Sequence, residues 1–347
     1  MTSAPVLEAR NVEKCYRSGG GFLGRLMGRD RKTVTAVDDV SLALRPGIAH
    51  GIVGESGCGK SSLLDVLAGL ESVDGGAVTY DGRPTAEFSR RDWMAFRRDV
   101  QIVFQNPFES LDPKLTVREA IAEPLAVHSI DDRHERIETA VERVELRPVE
   151  RYLEKLPHQL SGGERQRVSI ARALVLEPSV LLADEPVSML DVSTQANILS
   201  MLSSLIDELD LSVLYVSHDI STVGYLCDEV SVMYLGEVVE SAPTNRLLGE
   251  PAHPYSRALI DAVPIPDPYA ERERTALVGT PDGGGRDRTG CLFGDRCPDR
   301  TPACERRPEP VALEPTHRVS CHLYTEEPTD ETAVRTPVPG EHHGGGR

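Results

Sequence analysis

Apolar positions come in short runs that alternate with polar ones, and the period of the pattern changes along the chain. Val6–Tyr16 alternates as a strand does, and Ala36–Leu44 returns to that pattern before the turn at Arg45-Pro-Gly47. Ile48-Ala-His-Gly-Ile-Val53 is a continuous apolar run of strand length, which predicts a buried strand. Ser61-Ser-Leu-Leu-Asp-Val-Leu-Ala68 switches to helical spacing. Ala77–Gly82 reads as a short strand and turn, and Val100–Gln105 as an apolar strand ending on a glutamine. Residues 116–156 carry helical periodicity in three pieces, Val117–Val127, Asp132–Val144 and Val149–Leu156. Val168–Val175 continues as a helix, Val180–Glu185 as a buried strand ending in two carboxylates, and Ser193–Glu208 as another helix. Val213–Asp219 is a further apolar strand with a polar end, Val230–Val239 reads as a hairpin, and a helical pattern covers His253–Ala262. Strands and helices that alternate in this way predict an α/β fold with a parallel sheet.

The chemistry lies between these elements. Gly54-Glu-Ser-Gly-Cys-Gly-Lys-Ser-Ser62 stands between the predicted strand and helix and matches a phosphate-binding loop, G-x-x-x-x-G-K-[ST]. Its glycines let backbone N–H groups turn inward around phosphates, and the helix N-terminus adds its positive dipole end. Lys60 is placed to reach the β- and γ-phosphates, and the Ser61 hydroxyl to ligate Mg²⁺. Asp184 ends a strand downstream, where a Mg²⁺-directing aspartate belongs, and Glu185 is the candidate general base. His218 sits at the end of the next strand, a position from which a histidine can contact a γ-phosphate or orient water. The Ser161-Gly-Gly turn opening a helix is a second candidate anion site, or an ordinary serine cap followed by glycines. Tyr16 is a candidate for stacking on an adenine ring and equally a core or edge-strand tyrosine; Phe22 is a weaker candidate.

Composition narrows the class. A chain of 347 residues holds one large domain plus something smaller, and 39% hydrophobic content supplies a buried core. Its 55 acidic and 38 basic residues leave a net charge of −17, which argues against a nucleic-acid binder that relies on a basic surface. No apolar run approaches the roughly 18–20 residues that span a bilayer, and the N-terminus lacks a signal peptide's pattern. The expectation is a cytoplasmic protein whose membrane link runs through partners.

Between Ser18 and Lys32 lies a glycine- and arginine-rich insertion, expected to be a loop. Pro, Gly and Arg dominate from Pro264 to Arg288, and the stretch from Thr325 to Arg347 reads as disordered, its His342-His343 pair as tail composition. Between these stretches Cys291-x5-Cys297-x6-Cys304-x16-Cys321 presents four thiols. They fit a [4Fe–4S] cluster, a Zn²⁺ ion with His322 as a substitute ligand, or reduced structural cysteines.

Taken together, the motifs resemble the ATP-binding subunits of ABC transporters over residues 6 to about 262. Gly54–Ser62 looks like Walker A, Gln105 like the Q-loop and Leu160-Ser-Gly-Gly-Glu164 like the signature. Val180–Glu185 looks like Walker B, Ser188-Met-Leu-Asp191 like the D-loop and His218 like the switch histidine. The resemblance implies a RecA-like P-loop core, a small antiparallel β subdomain, and an inserted helical subdomain at about 106–178. After residue 262 it implies a cysteine-bearing C-terminal extension at 263–324 and a disordered tail at 325–347.

It implies two such domains sandwiching two ATPs head to tail. Lys60 and the loop residues Gly54, Glu55, Ser56, Gly57, Cys58, Gly59, Ser61 and Ser62 would then hold the phosphates. Ser61, Gln105 and Asp184 would surround Mg²⁺, with Glu185 as base and His218 on the γ-phosphate. Ser161, Gly162, Gly163 and Glu164 would meet the ATP of the opposite domain, with Asp191 beside them.

Asn106-Pro-Phe-Glu-Ser-Leu-Asp-Pro113 and His253-Pro-Tyr-Ser-Arg-Ala-Leu-Ile-Asp-Ala-Val-Pro264 are similar to the dipeptide/oligopeptide import branch. Some relatives in that branch carry an iron–sulfur cluster in the tail. The resemblance implies two membrane permeases, a second ATPase chain (a different one or another copy), and an external solute-binding protein met indirectly. The expected place is the cytoplasmic face of the membrane. Relatives import peptides, nickel complexes or glutathione, and a soluble ABC ATPase of a cytosolic enzyme complex, as in phosphonate metabolism, is the competing class.

Overall fold

The computed structural model describes residues 4–18, 32–263 and 288–325. Residues 19–31 of the expected loop insertion with Phe22, residues 264–287 of the Pro/Gly/Arg-rich segment and most of the expected disordered tail, with His342 and His343, lie outside the described residues.

Two sheets organise the chain. The smaller has the order β2-β1-β4-β5 and is antiparallel: β1 (Leu7–Ser18), β2 (Lys32–Leu44), β4 (Gly75–Tyr80) and the short β5 (Arg83–Pro84). The larger has eight strands in the order β11-β12-β10-β9-β3-β8-β7-β6. Its parallel part comprises β3 (Ala49–Val53), β6 (Val100–Val103), β7 (Val180–Asp184), β8 (Ser212–Ser217) and β9 (Glu229–Tyr234). β3 and β8 are buried at every residue, which is why both read as unbroken apolar runs.

Helix α1 (Lys60–Leu67) follows β3 and buries Leu63, Leu64, Val66 and Leu67. These residues share a core with Ile52 of β3 and with Leu7, Val12, Val40 and Leu44 of the small sheet, so the small sheet is fixed to the phosphate-loop side of the molecule. Helix α2 (Arg90–Asp99) is mostly Arg and Asp and carries its apolar stripe on Trp93 and Phe96 alone, continued by Val100. It is started by a capping box between Ser89 and Asp92 and held by Phe96, which packs edge-on against Tyr80 and Trp93.

A helical layer lies over the other face. After the short turn α3 (Pro107–Ser110) come α4 (Val117–Val127), α5 (Arg133–Arg143), the short α6 (Glu150–Leu153) and α7 (Gly162–Leu174). Thr116 and Glu119 form the capping box of α4, and Ser161 and Glu164 that of α7. Ile121, Leu125, Ile137, Val141 and Val168 join the larger core beneath. Helices α8 (Val192–Leu209), α9 (Ile220–Leu226), α10 (Thr244–Gly249) and α11 (Pro254–Asp261) complete the set.

The larger sheet continues into the cysteine-bearing segment. β10 (Glu237–Pro243) pairs antiparallel with β9 and with β12 (His317–Val319), which pairs in turn with β11 (Val311–Glu314). Glu240 joins these parts. Its carboxylate is buried and accepts hydrogen bonds from the Ala252 N–H (2.7 Å) and the His253 N–H (2.8 Å), and His317 Nε2 lies 2.8 Å from it. A buried carboxylate is tolerated because its oxygens are engaged.

Candidate functional site

Parallel strands bring their carboxyl ends to one edge, where ligands of α/β sheets bind. The phosphate loop leaves β3, Gln105 follows β6, Asp184 ends β7 and His218 follows β8. Val53 lies opposite Ser217, and Asp184 opposite Val216, so these ends are level.

Backbone geometry makes the loop glycine-dependent at two positions. Gly59 has φ +107°, and a Cβ there would lie 1.9 Å from the Ala36 carbonyl oxygen. A Cβ on Gly54 would lie 2.1 Å from that of Met233. Lys60 is buried, and its ammonium donates to the Gly54 carbonyl at 2.8 Å and the Glu55 carbonyl at 3.1 Å. The loop thus carries its own cation at the mouth of a 360 Å³ cavity lined by Ser56–Ser62, Gln105 and Glu185. Cys58 is buried in the loop, and that burial pushes its thiol pKa up.

Acidic groups face the loop. Asp184 shares a hydrogen bond with the Ser61 side chain, and burial raises its pKa above the ordinary carboxylate range. Its Oδ1 is buried without a hydrogen-bond partner. A hydroxyl beside an orphaned carboxylate oxygen is a donor set that fits a hard divalent cation.

Glu185 has φ +44°, a conformation an L-residue adopts at a cost of about 1–3 kcal/mol and one that clusters at active sites. Its N–H donates to the Val216 carbonyl at 2.9 Å, which fixes the side chain at the sheet edge. Gln105 Nε2 donates to Glu185 Oε2 at 3.0 Å, and His218 Nδ1 lies 3.0 Å from the same oxygen. Gln105 also donates to the Ser188 hydroxyl at 3.3 Å. Gln105, Glu185 and His218 therefore meet at one oxygen.

Ser161, Gly162, Gly163, Glu164 and Asp191 do not line this cavity. The Ser161 hydroxyl accepts from the Glu164 N–H at 3.2 Å, and the Glu164 carboxylate accepts from the Ser161 N–H at 2.7 Å. Asp191 caps α8 by accepting from the Thr194 N–H at 3.0 Å, and the bonds it accepts from the Ser193 and Thr194 hydroxyls, with that N–H, hold its pKa low. The two turns adjoin, since a Cβ on Gly163 would lie 2.5 Å from Thr194 Cγ2. Beside them Met189 and Val192 are 64% and 81% exposed, an apolar rim next to the signature turn.

Tyr16 pairs with Val34 across β1 and β2 and is part exposed. Val34 lines the cavity and Tyr16 does not, while the Lys14 ammonium stands 5.4 Å from the Tyr16 ring centre. Thr33–Ala36, Leu235, Arg288 and Leu292 also line the cavity and have no motif to announce them in the sequence.

All seven cysteines are free thiols. Burial raises the pKa of Cys291 (to about 11), Cys297 and Cys321, and the nearness of the other thiols, Cys304 among them, adds to it. The four are therefore neighbours, but no three His, Cys, Asp or Glu side chains among the described residues converge on a metal position. The donor set suits a four-thiolate site in kind and not in present geometry. His322 Nε2 donates to the Arg306 carbonyl at 2.8 Å, and its Nδ1 lies 3.4 Å from the Thr325 hydroxyl. Among the described residues no helix is long and apolar enough to cross a membrane.

Comparison with known proteins gives the same reading. Residues 37–188 match the family model described as ABC transporter, and residues 239–304 the one described as oligopeptide/dipeptide transporter, C-terminal region. The chain is 40% identical over 338 residues to the putative oligopeptide transport ATP-binding protein YkfD of Bacillus subtilis (strain 168), covering 95% of this chain and 99% of that protein. It is 41% identical over 296 residues to the oligopeptide transport ATP-binding protein OppF of Escherichia coli (strain K12), covering 84% and 88%. The dimeric post-hydrolysis structure of the ATP-binding cassette MJ0796 bound to ADP and Pi matches with a TM-score of 0.59 and 31% identity, over 69% of this chain and 98% of that one. A loop–carboxylate–histidine site at the strand ends of a RecA-like core, joined to that C-terminal region, makes this chain a member of the ABC transporter ATP-binding subunits, in the oligopeptide/dipeptide branch.

Proposed function

We propose that this chain is the ATP-hydrolysing, energy-coupling subunit of a peptide importer, working at the cytoplasmic face of the membrane against two permeases and a second ATPase chain. The observation that carries the reading is the union, in one chain, of a full set of ATP-site residues with a C-terminal region of the oligopeptide/dipeptide type. The match to that region favours import over a soluble cytosolic complex.

ATP would enter the cavity with its phosphates on the amides of Gly57–Ser62. Lys60 would exchange its loop carbonyls for β- and γ-phosphate oxygens, at small cost because the ammonium already lies in the loop. Ser61 and Asp184, with Gln105, would hold Mg²⁺, which when bound offsets charge on the β- and γ-phosphates. Glu185 would take the proton of the attacking water. His218 and Gln105, both on its Oε2, would orient the carboxylate and sense the γ-phosphate. Tyr16 would stack on the adenine from the β1 edge.

Ser161, Gly162, Gly163, Glu164 and Asp191 would close on the nucleotide of the opposite cassette. Support comes from their distance from the cavity lining and from the exposed Met189 and Val192 beside them, a surface suited to burial in a dimer. Catalysis by positioning and charge then depends on domain closure, which ties hydrolysis to permease movement. The partner chain is proposed to be a different subunit, with a homodimer as the second form, and an external solute-binding protein would deliver peptide. The turn at Asn106–Thr116 would meet the permeases' coupling helices. The four-cysteine extension is proposed to hold a [4Fe–4S] cluster or Zn²⁺ with a structural or regulatory part, and no catalytic step passes through it.

The test is ATP-dependent uptake of a labelled tripeptide into inverted-control and right-side membrane vesicles from native cells. Uptake that requires this chain and is lost in Glu185→Gln supports the proposal. Unchanged uptake, with the variant present at wild-type level, overturns it.

A further inference from the structure

The cysteine-bearing segment reaches the phosphate loop through Arg296 and the wall of the same cavity through Arg288, two arginines that no motif marks. Arg296 lies in the single turn Gly294–Arg296 and is buried. Its guanidinium forks onto Glu55, with Nη1 donating to Oε2 at 2.8 Å and Nη2 to Oε1 at 3.0 Å. This is the bidentate arrangement that gives an arginine–carboxylate pair its strength and its directionality. Nη1 also lies 3.3 Å from the Tyr234 hydroxyl.

Glu55 is gripped through its backbone as well. Its N–H donates to the Tyr255 hydroxyl at 2.9 Å, and its carbonyl accepts from Lys60 at 3.1 Å. The turn that carries Arg296 is bounded by cysteines: the Gly294 N–H donates to the Cys291 carbonyl at 3.0 Å, and the Cys297 N–H to the Gly294 carbonyl at 3.4 Å. The loop residue next to the catalytic glycines is thereby tied to the four-cysteine region.

The second arginine stands in the cavity wall itself. Arg288 Nη1 donates to the Thr35 carbonyl at 3.3 Å, Nη2 donates to the Leu235 carbonyl, and Nε lies 3.3 Å from Asp38 Oδ2. These bonds fix a permanent cation, with Leu292 beside it, in the lining that Gly57–Ser62 share. A guanidinium held in such a wall is suited to the oxygens of a nucleoside phosphate.

We propose that the cysteine-bearing module completes the nucleotide site: Arg288 contacts the bound nucleotide, and Arg296 is a positioning residue that sets the phosphate loop through Glu55. The inference rests on the ATP-site reading above. It adds that nucleotide affinity depends on residues beyond the nucleotide-binding cassette, so any change in the cysteine region that moves the 294–296 turn changes that affinity.

The experiment is titration of the purified full-length chain with a fluorescent ATP analogue and Mg²⁺, with thermal melting of each variant. Arg288→Gln should weaken binding about tenfold with little change in melting temperature, since its partners are two backbone carbonyls, which glutamine can still bond, and Asp38, which keeps Arg307 at 3.3 Å. Arg296→Met and Glu55→Gln should each weaken it by about the same factor. The double variant should be no weaker than either single one, which is the signature of a shared interaction and not of general loosening. Glu55→Gln is near-isosteric and keeps the test open if Arg296→Met fails to fold. Binding by Arg288→Gln within twofold of wild type overturns the contact. Binding by Glu55→Gln and the folded Arg296 variant within twofold, or fully additive losses, overturns the positioning role. Wild-type protein that binds no nucleotide, or Lys60→Met that binds normally, would instead contradict the ATP site itself.

Discussion

Glu185→Gln separates the chemistry of the site from its architecture. The carboxylate is only 13% exposed, and its Oε2 sits 3.0 Å from both Gln105 Nε2 and His218 Nδ1. Glutamine has the same shape, and because both contacts fall on one oxygen, its amide oxygen placed there keeps both, whereas the reversed amide would lose them. A lost hydrogen bond of that kind costs about 1 kcal/mol. Removing a general base costs about 10²–10⁴ in rate, or about 3–5 kcal/mol of barrier. The second effect is the larger, so kcat should fall by at least two orders of magnitude while ATP affinity changes by less than tenfold. Steady-state phosphate release by the assembled transporter gives kcat, and equilibrium nucleotide binding by the purified chain gives affinity. Glu185→Ala should show the same rate loss and a lower melting temperature, because it strips partners from Gln105 and His218. A Glu185→Gln protein that retains more than a tenth of the wild-type rate would refute the assignment of the base.

Other consequences follow from the same geometry. Gly59→Ala must displace the Ala36 carbonyl, 1.9 Å from the new Cβ, and should abolish nucleotide binding; Gly57→Ala meets nothing within 4 Å and should cost only about 1 kcal/mol of positive-φ strain, read as a few degrees in a melt. The raised pKa of Asp184 means that it takes up a proton at a higher pH than an ordinary aspartate and then cannot ligate a cation. Mg²⁺-dependent binding should therefore weaken on acidification before free carboxylates titrate, and Asp184→Asn should abolish the Mg²⁺ dependence; a flat profile in the wild type would contradict this. Burial lifts Glu237 to about pH 7, against the opposing pull of Arg307 3.1 Å away. Its folded pKa is raised, so wild-type stability falls as the pH rises through the window between the unfolded value and about 7. Glu237→Gln should therefore be the more stable protein at pH 8, by up to about 3 kcal/mol, with the two melting curves converging in acid.

The site was legible where its chemistry is local in sequence. Gly54–Ser62 carries its own signature, and the apolar runs before Gln105, Glu185 and His218 place each residue at a strand end. Parallel strands then bring the four ends together without further information. Elements whose cause lies elsewhere in the chain were hidden. Helix α2 is held by a capping box and a short stripe of Trp93 and Phe96, two apolar positions that are easily overlooked in an Arg/Asp-rich stretch. Strands β11 and β12 are too short to show a period, only His317 and Val319 are buried, and they are held by pairing of β12 with β10 and of β11 with β12. Arg296 and Glu55 are separated by 241 positions, and no periodicity links them. Cysteine spacing drew attention to that segment, but nothing in the spacing announced the bonds of Arg296 to Glu55 in the phosphate loop or of Arg288 to the Thr35 carbonyl in the cavity wall.

The central claim, that this ATPase drives a peptide permease, is tested most directly by tagging the chain in native cells and solubilising their membranes gently. Mass spectrometry then identifies the proteins that copurify. Two polytopic permeases with a second ATP-binding subunit are the predicted partners, and a peptide-binding receptor in the same sample would extend the result to the substrate. A set of soluble enzymes with no permease would contradict the importer account and leave the ATP site as described.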